Sequence, residues 1–193
     1  MSQPYHLTLP QVEPEHAAPE AREVLERARK QVGRLPNMYL MMANSPALLE
    51  TYLYGYDRFR KSSGFTPVEQ EVVFLTLSRE NVCEYCTSVH SFIADQMSKV
   101  PPEVTDAIRG DQEIQDAKLQ ALRTFTRAMH DTRGRPSEAD AQAFFAAGYG
   151  EGHILDVILA LSVKTISNYA NHVFDTPLDE TFSSREWRAT PST

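Results

Sequence analysis

The sequence predicts an all-α fold. Three observations carry that reading: capped helix starts recur along the chain, apolar residues repeat at helical spacing between them, and no segment makes a convincing strand. An extended arm over residues 1–18, with Pro4, Pro10 and Pro14, leads past Pro19 into an amphipathic helix from Glu20 to Val32 that stops at Gly33. Ser45-Pro46 sets an N-cap before a proline at the first helical position. The helix it opens carries Leu48, Leu49, Tyr52, Leu53, Tyr56 and Phe59 and ends near Gly64. Thr66-Pro67-Val68-Glu69 is a capping box, again with proline at the first helical position. That start decides the reading of Val72-Val73-Phe74-Leu75, which alone would pass for a strand. A thioredoxin-like strand-to-helix arrangement loses its strand.

A helix bearing both cysteines follows and is closed by Pro101-Pro102. Short helices are expected near 102–109 and 115–131. Gly134 and Pro136 punctuate, and Ser137-Glu138-Ala139-Asp140 starts another helix by the same capping logic. Gly148, Gly150 and Gly152 make a flexible corner before a long helix from His153 to Phe174. The polar tail over 176–193 packs as a short terminal helix or an arm. The expectation is one domain over residues 1–193, built on an αα-hairpin core, since domains run about 100–200 residues.

Composition narrows the function classes. With 41% hydrophobic and 23% charged residues, the chain can bury a core without disulfide staples. A net charge of −7 and a pI near 5.4 argue against nucleic acid or an anionic membrane surface as partner. Met1 to Pro19 is polar and proline-rich, unlike a signal peptide. The most apolar run, Ile154 to Val163, is interrupted by Asp156 and followed by Lys164, so it reads as a buried helix rather than a membrane span. The expected location is the cytoplasm, where a vicinal thiol pair is more often catalytic or metal-binding than structural.

The chain has two cysteines, and they sit together as Cys83-Glu84-Tyr85-Cys86 with His90 following. On a helix, positions 83, 86 and 90 fall on one face. Two nearby thiols can close and reopen a disulfide, and the first to attack needs a low pKa. Dithiol redox chemistry is the leading reading. A pair of small buried hydrophobes is the bland alternative. A zinc site is the other: His90 could add a third ligand and a distant histidine a fourth, but no second CxxC or HxxxH pair completes the set.

Asn81 is a plausible N-cap, which would put both cysteines in the first turns of a helix. There free N–H groups and the positive end of the macrodipole favour thiolate. His90 titrates near working pH and suits proton transfer, although a lone histidine is as readily a packing residue. Glu69 reads as a solvated first-turn acid. Glu71, beside the apolar run, could turn inward and orient or deprotonate His90.

Glu71, eleven intervening residues, and then Cys83-Glu84-Tyr85-Cys86-Thr87-Ser88-Val89-His90 resemble the E…CxxCxxxH signature of the alkylhydroperoxidase D-like proteins, in the carboxymuconolactone decarboxylase superfamily. Leu35-Pro36-Asn37-Met38, Asn44-Ser45-Pro46 and the run Leu77 to Val82 resemble segments flanking that signature, so the likeness covers residues 30–175. It implies an AhpD-like orthogonal bundle of seven to nine helices, with the CxxC opening a buried core helix near a subunit interface. It implies Cys86 as peroxidatic nucleophile, Cys83 as resolving thiol, and Glu71 with His90 as a water-assisted proton relay. No cofactor or metal enters that chemistry. The implied partners are a small hydroperoxide, a thiol or dithiol electron donor, and further copies of the chain in a dimer, trimer or hexamer.

Tyr85 departs from the pattern, since well-described members place a relay histidine there. A phenol with a pKa of about 10 is a poor shuttle at neutral pH. The decarboxylase branch generally lacks the cysteine pair, so keeping it argues for redox. The alternative functions are a zinc-binding or redox-sensing module, or a decarboxylase-like enzyme.

His172 could line a pocket or bind metal but suits a helix C-terminus facing the dipole. His153 is read as structural or interfacial. Tyr52, Tyr54 and Tyr56 with Phe59 are read as core and subunit contact, and Trp187 as an anchor onto a neighbouring subunit. The proline-rich arm is expected to wrap a partner.

Overall fold

Every helix start read from the sequence is followed by a helix in the computed structural model, which describes residues 3–189. The elements are α1 (Pro19–Val32), α2 (Asn37–Met42), α3 (Pro46–Ser62), α4 (Pro67–Glu80), α5 (Glu84–Gln96), α6 (Pro102–Arg109), α7 (Ala117–Asp131), α8 (Glu138–Ala146), α9 (Glu151–Phe174) and a 3₁₀ helix (Glu180–Arg185). No strand occurs among the described residues. No single described helix is long and apolar enough to cross a membrane.

The strand-like run lies inside α4. Its capping box is complete: the Thr66 hydroxyl accepts from the Glu69 amide, and the Glu69 carboxylate accepts from the Thr66 amide. The run Glu69 to Ser78 is buried all round, because α4 lies between α5, α6, α7 and α9. A helix apolar on every side carries no amphipathic stripe, which is why it resembles a strand in sequence. Phe74 is its keystone. Its ring packs 4.5 Å from Phe59, 5.5 Å from Tyr56 and 5.0 Å from His90, centroid to centroid. Truncating a side chain so placed costs about 3–5 kcal/mol.

Several expectations are corrected. Asn81 is the C-cap of α4, and Cys83 is the N-cap of α5. The turn between them is tight: the Cys83 amide donates to Ser78 O at 2.9 Å, and Val82 takes a left-handed φ of 54°, a strained conformation for a β-branched residue. Helix α5 ends at Gln96, before Pro101-Pro102. Glu69 is not solvated; it is buried, accepting from the Tyr149 hydroxyl at 3.0 Å and pairing with Lys118 at 2.9 Å. Gly152 lies inside α9, so the corner is Gly148 to Gly150, across which the chain bends by 111°. Helix α2 had no capping signal, because its N-cap is Pro36.

At both ends of the described residues the chain folds back onto the helices. In the arm, the Leu7 amide donates to Val173 O at 2.7 Å and the Val12 amide to Leu40 O at 3.1 Å. The arm thus has a seat on its own chain. In the tail, Phe182 is buried between Phe92 and the guanidinium of Arg34. Trp187 anchors within its own chain: its amide donates to Ser88 Oγ at 2.9 Å and its indole to Arg109 O at 3.1 Å. The tail is thereby strapped across the start of α5.

Candidate functional site

The start of α5 meets α4 on one side and the end of α9 on the other, and the thiols lie at that junction. Cys83 and Cys86 are both free and buried. With Cys83 as N-cap, Cys86 occupies the first turn, where unpaired amides favour negative charge. The expected cap, Asn81, ends α4 instead, and the cap of α5 is Cys83.

Asn171 of α9 supplies a contact that sequence reading missed. Its Nδ2 lies 3.2 Å from Cys86 Sγ and 3.2 Å from Met38 Sδ. Burial alone would raise the Cys86 thiol. A hydrogen bond from Cys83, the Lys164 ammonium and the Asn171 amide outweigh burial and hold it well below the ordinary thiol range. Cys83 goes the other way: its hydrogen bond to Cys86, then burial and the neighbouring charge, push it far up. The two shifts run in opposite directions, so the surroundings favour ionisation at Cys86 over Cys83.

His90 lies one turn beyond Cys86. Its Nδ1 is 2.9 Å from Glu71 Oε2, and both side chains are buried. Burial and the Lys164 charge hold His90 down to about 4 against the pull of Glu71, so the ring is neutral at working pH. A carboxylate can only accept, so Nδ1 carries the ring proton and Nε2 keeps its lone pair for acid–base work. Glu71 is itself clamped. Arg60 of α3 pairs with its Oε1, and Ser98 Oγ donates to the same atom at 3.4 Å. Burial alone would raise Glu71, but Arg60 and His90 overcome it and bring the carboxyl down to about 2. Glu71 thus orients His90 and is too weak a base to deprotonate it.

Tyr85 points away from this chemistry. Its hydroxyl donates to Asp179 Oδ2 at 2.6 Å and accepts from the Met38 amide at 3.4 Å. Burial and the Asp179 carboxylate push the phenol far above its usual range. It is a clasp between α5 and the tail. Asp179 also accepts from the Asn37 amide at 3.1 Å, so the tail grips α2 as well.

A cleft of about 630 Å³ opens beside Cys83, walled also by Tyr85, Ser88, Asn171, His172 and Trp187; Cys86 lies behind this wall and not on it. Its volume suits a small organic molecule. His172 is exposed on that wall, so the pocket-lining alternative weighed for it has a structural basis. His153 is structural: its Nδ1 accepts from the Gly150 amide at 3.0 Å, closing the start of α9. Tyr52 and Phe59 are core, whereas Tyr54 is exposed. Among the described residues, no group of three or more His, Cys, Asp and Glu side chains converges to hold a metal ion.

Sequence reading brought together Glu71, Cys83, Cys86 and His90, and the structure places them as one cluster. It missed Arg60, Lys164, Asn171 and Asp179. Only Lys164 left a signal, as a lysine ending an apolar helical run with Asn168 and Asn171 on the same helix face.

No family model matches the sequence, and no curated protein matches it. Solved structures do. The crystal structure of an alkylhydroperoxidase AhpD core, an uncharacterized peroxidase-related protein from Ralstonia eutropha, matches with a TM-score of 0.78 at 20% identity, over 94% of this chain and 96% of that one. An uncharacterized peroxidase-related protein from a Silicibacter species matches with a TM-score of 0.77 at 19% identity, over 95% and 96%. A variant of the debrominase Bmp8, in complex with 2,3,4-tribromopyrrole, matches with a TM-score of 0.74 at 15% identity, over 93% and 96%. The chain therefore has the AhpD-like all-α fold anticipated from its signature.

Proposed function

We propose that this chain of AhpD-like fold is a thiol peroxidase that reduces small hydroperoxides through its Cys83–Cys86 dithiol. The observation that carries the reading is the geometry of the dithiol: Cys83 caps α5, Cys86 sits in its first turn with Asn171 Nδ2 3.2 Å from its sulfur, and His90 follows one turn on, oriented by Glu71 at 2.9 Å. The Cys86 thiolate attacks the terminal oxygen of the peroxide; an S–O bond forms and the O–O bond breaks. The departing alkoxide takes a proton from solvent by way of water held at His90 Nε2, leaving an alcohol and a Cys86 sulfenic acid. Cys83 sulfur then attacks the sulfenic sulfur, a disulfide forms, and the oxygen leaves as water. A dithiol reductant returns the pair to its reduced state.

That cycle needs thiols kept reduced, which favours the cytoplasm. The oligomeric state belongs to the same proposal. Tyr54, Leu155, Ile158 and Tyr169 expose apolar surface on α3 and α9, which suits a contact between copies. A strict monomer by light scattering at micromolar concentration removes that part. The debrominase neighbour shows that the fold hosts other chemistry, so the test uses peroxide directly. Stopped-flow oxidation of the reduced protein by cumene hydroperoxide should consume both thiols per peroxide and yield an internal disulfide. If Cys86→Ser consumes peroxide as fast as the parent, Cys86 is not the nucleophile.

A further inference from the structure

Lys164 is the one charged side chain on the buried face of α9. It is 1% exposed, and its Nζ has no hydrogen-bond partner among the described residues. A buried ammonium left unpaired costs several kcal/mol, so something must compensate it. The buried Glu71 carboxylate does not partner it; both its oxygens are engaged by Arg60, Ser98 and His90. The ammonium stands 5.7 Å from the centroid of the Phe74 ring, the ring that packs against His90. One and two turns further along the same face come Asn168 and Asn171, the latter bonded to Cys86 sulfur. The side of α9 that carries Lys164 is thus the side that meets the dithiol.

We infer that Lys164 is the counter-charge of the Cys86 thiolate, a positioning residue that sets the nucleophile's ionisation through the buried core without touching substrate. The inference rests on the reading of Cys86 as the nucleophile. It adds a consequence for redox poise. Oxidation to the disulfide removes the negative charge and strands the ammonium, so Lys164 favours the reduced pair and makes the disulfide more oxidising. Titratable groups around Cys86 are Cys83 at the cap of α5, His90 on α5 with Glu71 on α4 and Arg60 on α3 behind it, Tyr52 on α3, and Tyr85 on the first turn of α5. Any of these contributes to its titration, so the test varies the charge at position 164 alone.

In a Cys83→Ser background, the titrating thiol is Cys86, read by ultraviolet thiolate absorbance against pH. Lys164→Met should raise its apparent pKa by about 1 to 3 pH units, the range for losing a nearby opposite charge, and Lys164→Arg should restore most of the shift. In the two-cysteine protein, equilibration against a glutathione buffer should show a more negative dithiol potential for Lys164→Met than for the parent. An unchanged titration in Lys164→Met overturns the inference, and so does an arginine variant shifted as far as the methionine one. Should Lys164→Met fail to fold by circular dichroism, Lys164→Gln is titrated and read by the same criteria. The readout is independent of turnover. A shifted titration in a protein that consumes no peroxide sinks the peroxidase reading and leaves the pairing intact, whereas peroxide consumption with an unshifted titration does the reverse.

Discussion

Asn171 and Cys86 stand 85 residues apart in sequence, yet Nδ2 of one lies 3.2 Å from Sγ of the other. The amide's second hydrogen goes to Met38, so the group is held on both sides and aimed at the sulfur. A hydrogen bond to a charged acceptor is worth about 1.5–3 kcal/mol. Since 1.36 kcal/mol is one pH unit of pKa, Asn171→Leu should raise the apparent Cys86 pKa by roughly one unit or more. Asn171→Asp should raise it further by setting a carboxylate beside the thiolate. Peroxide oxidation rates measured against pH report both. An unshifted profile in either variant shows that the amide is packing rather than tuning.

The buried Glu71–His90 pair makes stability depend on pH in a defined direction. His90 sits at about 4 in the folded protein, below its usual 6.5. The unfolded chain therefore binds the proton first, and stability falls as pH drops from 6.5 through 4. Glu71 is held down to about 2 from 4.5, so its contribution is present above 4.5 and fades as pH falls towards 2. Urea midpoints should decline steadily on acidification from neutrality, with His90 accounting for on the order of 3 kcal/mol. His90→Asn should flatten the upper part of the decline and leave the lower part. A wild-type midpoint constant from pH 7 to pH 4 would contradict the burial of a neutral imidazole.

Arg60 stacks over Tyr56 and Phe74 while its guanidinium pairs with Glu71. Removing it strands a buried carboxylate. Arg60→Met should destabilise the fold by about 3–5 kcal/mol in chemical denaturation. Adding Glu71→Gln to Arg60→Met should recover part of that loss, because the orphaned charge is gone. If the double variant is as unstable as the sum of the two singles, the guanidinium acts by packing alone.

What the sequence made legible was what depends on near neighbours. Thr66 with Glu69 and Ser137 with Asp140 announce their helices because a capping box is complete within four residues. The CxxC and His90 declare a shared face because helical spacing is local. Asn81 misled, because α4 runs on to Glu80 and the reversal is made by a strained Val82 that no turn signal marks. Glu69 misled because its partners, Tyr149 and Lys118, arrive from distant elements. The same holds for Arg60, Asn171 and Asp179. Each acquires its role across a tertiary contact, and its own neighbours in sequence say nothing of it.

Tyr85, read from the sequence as a departure from the resembled signature, is spent on Asp179. A phenol pushed above its usual range by burial and that carboxylate keeps its proton at any working pH. Tyr85→Phe should therefore leave the chemical step nearly intact while loosening the strap that Asp179, Phe182 and Trp187 hold across α5. The bond lost is to a carboxylate, so opening of the tail should grow by about tenfold or more. Limited proteolysis of the residues after Leu178 reads that opening, and stopped-flow oxidation reads the chemistry. Asp179→Ala should resemble Tyr85→Phe, and the double variant should be less than additive, because one bond is removed twice. A Tyr85→Phe protein that loses peroxide oxidation with its tail still protected would put the phenol back in the proton path.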